Sequence, residues 1–248
     1  MHPAERPSPG PLSALSLLRE GDIEVKGRLP WSSNGTFLVE LCRPKRPGAG
    51  DAELSCMAVY KPERGERPLW DYPPGLFRRE VAAFVVSRAL GWGIVPETIE
   101  RDGPYGPGSL QRFVDADFRE HYFTLLERPE HHDALKAICT LDLVINNGDR
   151  KSGHCILSEE GSIFAIDHGL CLHEEPKLRT VIWDFAGEPI PKDCRAALAE
   201  LMVDPPLELG ALLTDDEVEA LVQRTAAAVA NPIFPEQHWG RSIPWPPI

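Results

Sequence analysis

The sequence predicts an α+β protein of two lobes: a β-rich front half with one helix, and a mostly helical back half carrying a small β-hairpin. Three observations carry that prediction. Residues 23–28, 36–42 and 54–61 are short strand-like runs divided by the turn-rich stretches WSSNG and RPKRPGAGD. From Asp115 onward apolar residues recur at helical spacing. At 248 residues the chain can bury one large core or two smaller ones without disulfide or metal staples. The change of pattern falls near Val114, and a cleft between two such lobes is a common place for a ligand.

In chain order, residues 1–11 are Pro-rich and expected to be disordered. Leu12, Leu15 and Leu18 mark a short amphipathic helix stopped by Gly21. After the third strand the polar loop PERGERPLWDYPPG leads into a helix over 76–90. Its buried face is Phe77, Val81, Phe84 and Val85, with Glu80 beside it, and Gly91 and Gly93 end it. Residues 94–100 and 109–114, joined at DGPYGPG, read as a hairpin. Helices are expected over 118–126 and 133–144, then the loop NNGDRKSGH, then strands over 155–158 and 162–166. The last helices cover 193–202 and 215–230, the second opened by a capping box of Thr214 and Glu217. The expected lobes are therefore 12–114 and 115–248.

Acidic residues outnumber basic ones 38 to 26, a net charge of −12. Nucleic acid and anionic membranes both call for a cationic face, so neither is expected as a general partner, though a local basic pocket for phosphates remains compatible. No apolar run approaches the ~18 residues of a membrane span, and residues 81–95 are interrupted by Arg88. The first residues lack the basic-then-apolar pattern of an export signal. Six cysteines without a C-x-x-C pair then read as reduced thiols of a cytoplasmic protein. His154, Cys155, Cys171 and His173 cluster in sequence without the usual zinc spacing, and buried small hydrophobes are the simpler reading of the cysteines.

The chemistry-bearing segment is Asn147-Gly148-Asp149-Arg150-Lys151-Ser152-Gly153-His154, followed by Ala165-Ile166-Asp167-His168-Gly169. One Asp sits on a loop between helix and strand, the other at the end of the hairpin. Phosphoryl transfer needs two such acids, one beside the attacking hydroxyl and one on a Mg²⁺ that bridges phosphates. Taken singly, each Asp fits an ordinary turn equally well. The front half shifts the balance: Ala58-Val59-Tyr60-Lys61 is a strand ending in Lys, and Glu80 follows on a helix. A strand Lys paired with a helix Glu is the phosphate-holding pair of kinases. The turn at Ser33, Asn34 and Gly35 offers backbone N–H groups for phosphates.

On these residues the chain resembles the phosphatidylinositol 3- and 4-kinase-like superfamily with its HipA-type relatives, and within it a mainly actinobacterial group. The resemblance covers roughly residues 21–204. Gly148-Asp149-Arg150 matches the opening of the family's catalytic loop. Asp167 stands eighteen residues after Asp149, as the family's second metal-binding Asp does, here within Asp-His-Gly. His154 stands five residues after Asp149, where the family has a metal-binding Asn.

The resemblance implies a two-lobed protein-kinase-like fold with a nucleotide cleft between the lobes, and an ATP-dependent kinase using Mg²⁺, with Mn²⁺ possible at a site containing His. It implies Asp149 as the residue that orients or deprotonates the acceptor hydroxyl, and Arg150 either behind it or on a phosphate. Asp167 would bind the metal, and His154 would be either a second metal ligand or a structural residue. Lys61 would contact the α/β-phosphates, held by Glu80, and the hinge would be Gln111, Arg112 and Phe113, whose backbone reads the adenine edge. Lipid kinases of the family carry a basic segment after the second Asp. Here Lys177 and Arg179 are mixed with Glu174, Glu175, Asp184 and Glu188, which favours a small polyol or metabolite over a membrane lipid. Arg179, Thr180, Trp183 and Asp184 either line a substrate pocket or form an ordinary loop anchored by its Trp. The rival functions are a HipA-like Ser/Thr protein kinase and an ATP-binding pseudokinase serving as a regulatory module.

Overall fold

The structure, a computed structural model, describes residues 11–30, 32, 34–43, 54–237 and 242–247. The chain forms two compact units, one within 1–69 and 97–113, the other within 70–96 and 114–248. The fold is α+β, with an antiparallel sheet in the first unit and mostly helices in the second.

The first unit holds α1 (Pro11–Glu20), β1 (Asp22–Arg28), β2 (Phe37–Arg43), β3 (Leu54–Pro62), β4 (Thr98–Gly103) and β5 (Gly106–Arg112). The five strands are antiparallel in the order β1-β2-β3-β5-β4. Alternation decides which face is covered. Val39 and Leu41 of β2, Ala58 and Tyr60 of β3 and Leu110 of β5 are buried together with Leu17 and Leu18 of α1. Lys61 and Val59, one step out of phase with Tyr60, belong to the other face. The first three strands lie within a residue or so of their expected ranges. Helix α1 buries Ala14, Leu17 and Leu18, while Leu15 is only partly covered, so the expected stripe through Leu15 is rotated by about one position. Gly21 ends it as expected, its N–H donating to Leu17 O at 2.8 Å. The hairpin turns within the expected stretch but more tightly, at Pro104-Tyr105 between the paired Gly103 and Gly106, so its first strand begins later and both strands run further into the turn than expected. Left-handed Gly106, with φ of 96°, permits that turn, and Ile94 instead accepts a backbone hydrogen bond from Ala165.

The second unit holds α2 (Leu76–Ala89), α3 (Tyr122–Leu126), α4 (His132–Val144), β6 (Cys155–Leu157), β7 (Ile163–Ala165), α5 (Lys192–Val203) and α6 (Asp215–Ala230). Strands β6 and β7 pair antiparallel. Helix α2 buries the expected Phe77, Val81, Phe84 and Val85, but also Arg79 and Glu80. Arg79 donates to Cys171 O at 2.6 Å and forms an ion pair with Glu217. Glu217 also serves the expected capping box, where Thr214 Oγ1 accepts its N–H at 3.3 Å. Helix α3 is shorter than the expected 118–126. The Asp117 carboxylate accepts the Arg119 N–H at 3.0 Å and pairs with its guanidinium at 2.7 Å. Such local bonds favour a turn over a helix, and Phe118 is left 65% exposed. No helix among the described residues is long and apolar enough to cross a membrane.

Candidate active site

The catalytic-loop segment is built on a buried fork. Arg150 Nε and Nη2 donate to Asp142 Oδ2 and Oδ1 at 2.9 and 2.8 Å, and both side chains are essentially without exposure. Nη1 donates to Ile166 O at 2.8 Å, and Nη2 to His168 Nε2 at 2.8 Å. One guanidinium thus ties α4 to the backbone before Asp167 and to the side chain after it. Asn147 completes the frame: its Nδ2 donates to Asp142 Oδ1 at 2.9 Å, and its Oδ1 accepts the Asp149 N–H at 3.0 Å. Gly148 N–H donates to Leu170 O at 2.7 Å, and a Cβ on Gly148 would lie 2.6 Å from Tyr72 Oη, so any larger residue there would have to displace the tyrosine hydroxyl.

Asp142 was not singled out by sequence reasoning. Its one signal is an acid inside the apolar run TLDLVI of a helix. Arg150 is fully buried with its donors engaged. That position lies behind the loop, not on a phosphate.

Asp149 is partly exposed, with Lys151 Nζ 3.3 Å from Oδ2. Burial raises its carboxyl above the usual range; the Asp167 charge adds to this, and Lys151 and Arg179 oppose it. The Asp167 charge thus acts on Asp149 in the same direction as burial. Asp167 adopts a left-handed backbone, with φ of 59°. That costs a non-glycine residue about 1–2 kcal/mol. Glu80 Oε2 offsets it by accepting the next N–H, that of His168, at 2.9 Å, a charge-assisted bond of about 1.5–3 kcal/mol. The Asp167 side chain is half-exposed.

His154 Nε2 lies 3.4 Å from Asp167 Oδ2, so the structure brings the two expected metal ligands together. Donors bound at about 2.0–2.2 Å to a shared cation stand roughly 3 Å apart, so the pair fits one. Ligation through Nε2 places the proton on Nδ1, at the expense of the 3.4 Å contact from Lys151 N–H. That contact is at the outer limit of a hydrogen bond and its loss costs little. Among the described residues no group of three or more His, Cys, Asp or Glu side chains is placed to hold a metal. Two protein ligands suit a cation shared with phosphates, not a closed cage. Cys155 and Cys171 are fully buried, and burial pushes the Cys155 thiol up to about 12.

In the first unit, Lys61 stands opposite Ser109 on the sheet face away from α1. Gly35 N–H donates to Gly65 O at 2.8 Å, and Asn34 Oδ1 accepts the Arg67 N–H at 3.0 Å. Ser33 lies outside the described residues. Gln111 is buried and donates to Thr98 Oγ1 at 2.9 Å. Arg112 pairs with Glu97, and Phe113 N–H donates to Met57 O at 2.9 Å.

Downstream of Asp167, Arg179 Nη2 is 3.4 Å from Asp71 Oδ2 and Lys177 Nζ is 3.2 Å from Glu175 Oε2. Tyr122 Oη donates to Asp184 at 2.7 Å, Trp183 Nε1 to Ser242 O at 3.4 Å, and Thr180 is buried. Asp184 and Trp183 are thus anchored to neighbouring residues of their own unit.

An antiparallel sheet unit, a helical unit and an Asp-bearing loop and hairpin define a kinase-like fold. Solved structures share it. The chain superposes on hydra Fam20 with sugar at a TM-score of 0.54, with 14% identity over 87% of each chain. It superposes on the Golgi casein kinase with Mn/ADP bound at 0.53, with 13% identity over 90% of this chain and 76% of that one. The family model for phosphatidylinositol 3- and 4-kinase matches residues 80–220, and the chain belongs to that family. Protein Rv2133c of Mycobacterium tuberculosis (strain ATCC 25618 / H37Rv) is 38% identical, over 93% of this chain and 94% of that protein.

Proposed function

We propose that the protein is an ATP-dependent phosphotransferase acting on a hydroxyl of a small polyol or other metabolite. The observation that carries this reading is His154 Nε2 standing 3.4 Å from Asp167 Oδ2, on a hairpin that the buried Arg150, the residue after Asp149, ties to its own loop through Ile166 O and His168. ATP with a divalent cation supplies the phosphoryl group and neutralises its developing charge. Asp149 orients the acceptor hydroxyl and takes its proton. Asp167 and His154 hold the cation. Lys61 holds phosphates, and Gln111, Arg112 and Phe113 flank the adenine; Gly35 gives its N–H to Gly65 O and lines a depression on the sheet face away from Lys61, so that glycine takes no nucleotide phosphate. Arg150 and Glu80 position the two acidic loops. The Mn/ADP-bound Golgi casein kinase shares the fold, which supports the use of a nucleotide and a divalent cation here.

The preference for a small acceptor over a polyanionic lipid headgroup rests on Lys177 and Arg179. Both already face carboxylates, Glu175 and Asp71. The test is transfer of label from γ-labelled ATP into three pools: a metabolite extract, a protein extract and phosphoinositide vesicles. Label in the metabolite pool supports the reading. Label in protein Ser or Thr replaces it with a HipA-like kinase, and nucleotide binding without transfer replaces it with a pseudokinase.

A further inference from the structure

The first unit carries a depression of about 410 Å³ lined by Arg28, Arg64 and Arg67, with Phe37 and Tyr105 as apolar wall. Strand register gives its side of the sheet. Arg28 stands opposite Phe37, and Phe37 opposite Tyr60; cross-strand partners share a face. Lys61 follows Tyr60 directly and belongs to the other face. The depression and the proposed phosphate-binding lysine therefore lie on opposite faces of one sheet.

Among the described residues no acidic one lines the depression, although the chain carries a net charge of −12. Among the described residues none of the three guanidinium groups is in an ion pair, and all three arginines are exposed. Arg64 is stacked over the Tyr105 ring, 4.8 Å from its centroid, which fixes the plane of its donors. Gly35 and Gly65 lie against one another, a Cβ on Gly35 coming within 3.0 Å of Gly65 Cα, so the base of the depression is closed by backbone. Three like charges gathered around one hollow repel one another unless an anion joins them. Guanidinium forks match the oxygen spacing of phosphate.

We propose that this depression binds a small soluble phosphomonoester, at a site separate from that of the nucleotide. Arg28, Arg64 and Arg67 hold the phosphate dianion, and Phe37 and Tyr105 take the organic part. The volume suits a small molecule.

The test titrates the full chain with phenyl phosphate and with inorganic phosphate by calorimetry, with and without saturating ADP. Both are expected to bind, phenyl phosphate more tightly because its ring meets the aromatic wall. Arg64→Ser and Arg67→Ser should each weaken binding by about tenfold, with thermal unfolding unchanged because both side chains are exposed. Arg64→Lys should be intermediate, keeping the charge and losing the fork. Saturating ADP, and the Lys61→Met substitution, should leave the affinity as it is. Absence of binding, or equal binding by the serine variants, overturns the site. Displacement by ADP overturns its separateness. Preferential binding of vesicles containing phosphatidic acid assigns the phosphate to a lipid headgroup and overturns the soluble ligand.

Discussion

Arg150 and Asp142 form a two-bond fork with exposures of 0% and 1%, and the same guanidinium reaches Ile166 O and His168. Arg150→Met leaves a buried carboxylate without its cation, a loss of about 3–5 kcal/mol. Asp142→Leu strands the arginine at similar expense. The double variant Asp142→Leu/Arg150→Met should lose clearly less than the sum, because neither charge is then uncompensated. Urea unfolding of the four proteins measures this, and additive losses would show that the pair is not coupled.

Glu80 holds the turn in which Asp167 is left-handed, through the His168 N–H at 2.9 Å. Glu80→Ala should destabilise the chain by about 1.5–3 kcal/mol and weaken nucleotide binding in the presence of Mn²⁺. Glu80→Gln keeps a carbonyl acceptor and should recover most of the stability. Calorimetric unfolding and nucleotide titration of both variants check it; equal losses would place the role of Glu80 elsewhere.

The Asp149 carboxyl titrates above the usual Asp value, chiefly through burial. Its folded pKa thus exceeds its unfolded one. The group's contribution to stability is full below the unfolded pKa and falls as pH rises through the folded one. Lys151, 3.3 Å away, opposes the shift. Lys151→Met should move the Asp149 midpoint further up and deepen the stability loss toward neutral pH. Carbon NMR titration of the Asp149 carboxyl in metal-free protein reads the midpoint, and a downward move would contradict the assignment.

His154 offers a nitrogen where the family has an Asn oxygen, 3.4 Å from Asp167. A nitrogen ligand favours Mn²⁺ over Mg²⁺ more than an all-oxygen set does, and imidazolium cannot ligate. His154→Asn should therefore shift nucleotide binding toward Mg²⁺ and flatten its decline at acid pH. Affinities with each metal across a pH series test this. An unchanged metal ratio with an unchanged pH profile would leave His154 a structural neighbour of Asp167.

Much of this architecture is legible in the chain because it follows from period and spacing. The first three strands, α2, α4 and α6 carry regular apolar patterns, and the Asp149-to-Asp167 interval is a fixed separation within one motif. The Asp142–Arg150 fork is not legible, since a lone acid in a helix and an Arg in a loop reveal neither depth nor partner. Helix α3 is shorter than its apolar pattern because Asp117 and Arg119 bond locally. Strand β4 begins at Thr98, not at Ile94, whose carbonyl accepts the Ala165 N–H, seventy-one residues away in sequence. The Arg28, Arg64 and Arg67 depression joins three separated segments, which only strand register brings onto one face.

Asp149, as the residue that takes the acceptor's proton, stands at the centre of the proposed reaction. The direct measurement is γ-phosphoryl transfer from labelled ATP into the metabolite pool by the wild type and by Asp149→Asn, beside their ATP affinities. A fall in transfer of about 10²-fold or more with nearly unchanged affinity is expected. Transfer at equal rates by the two proteins would contradict it.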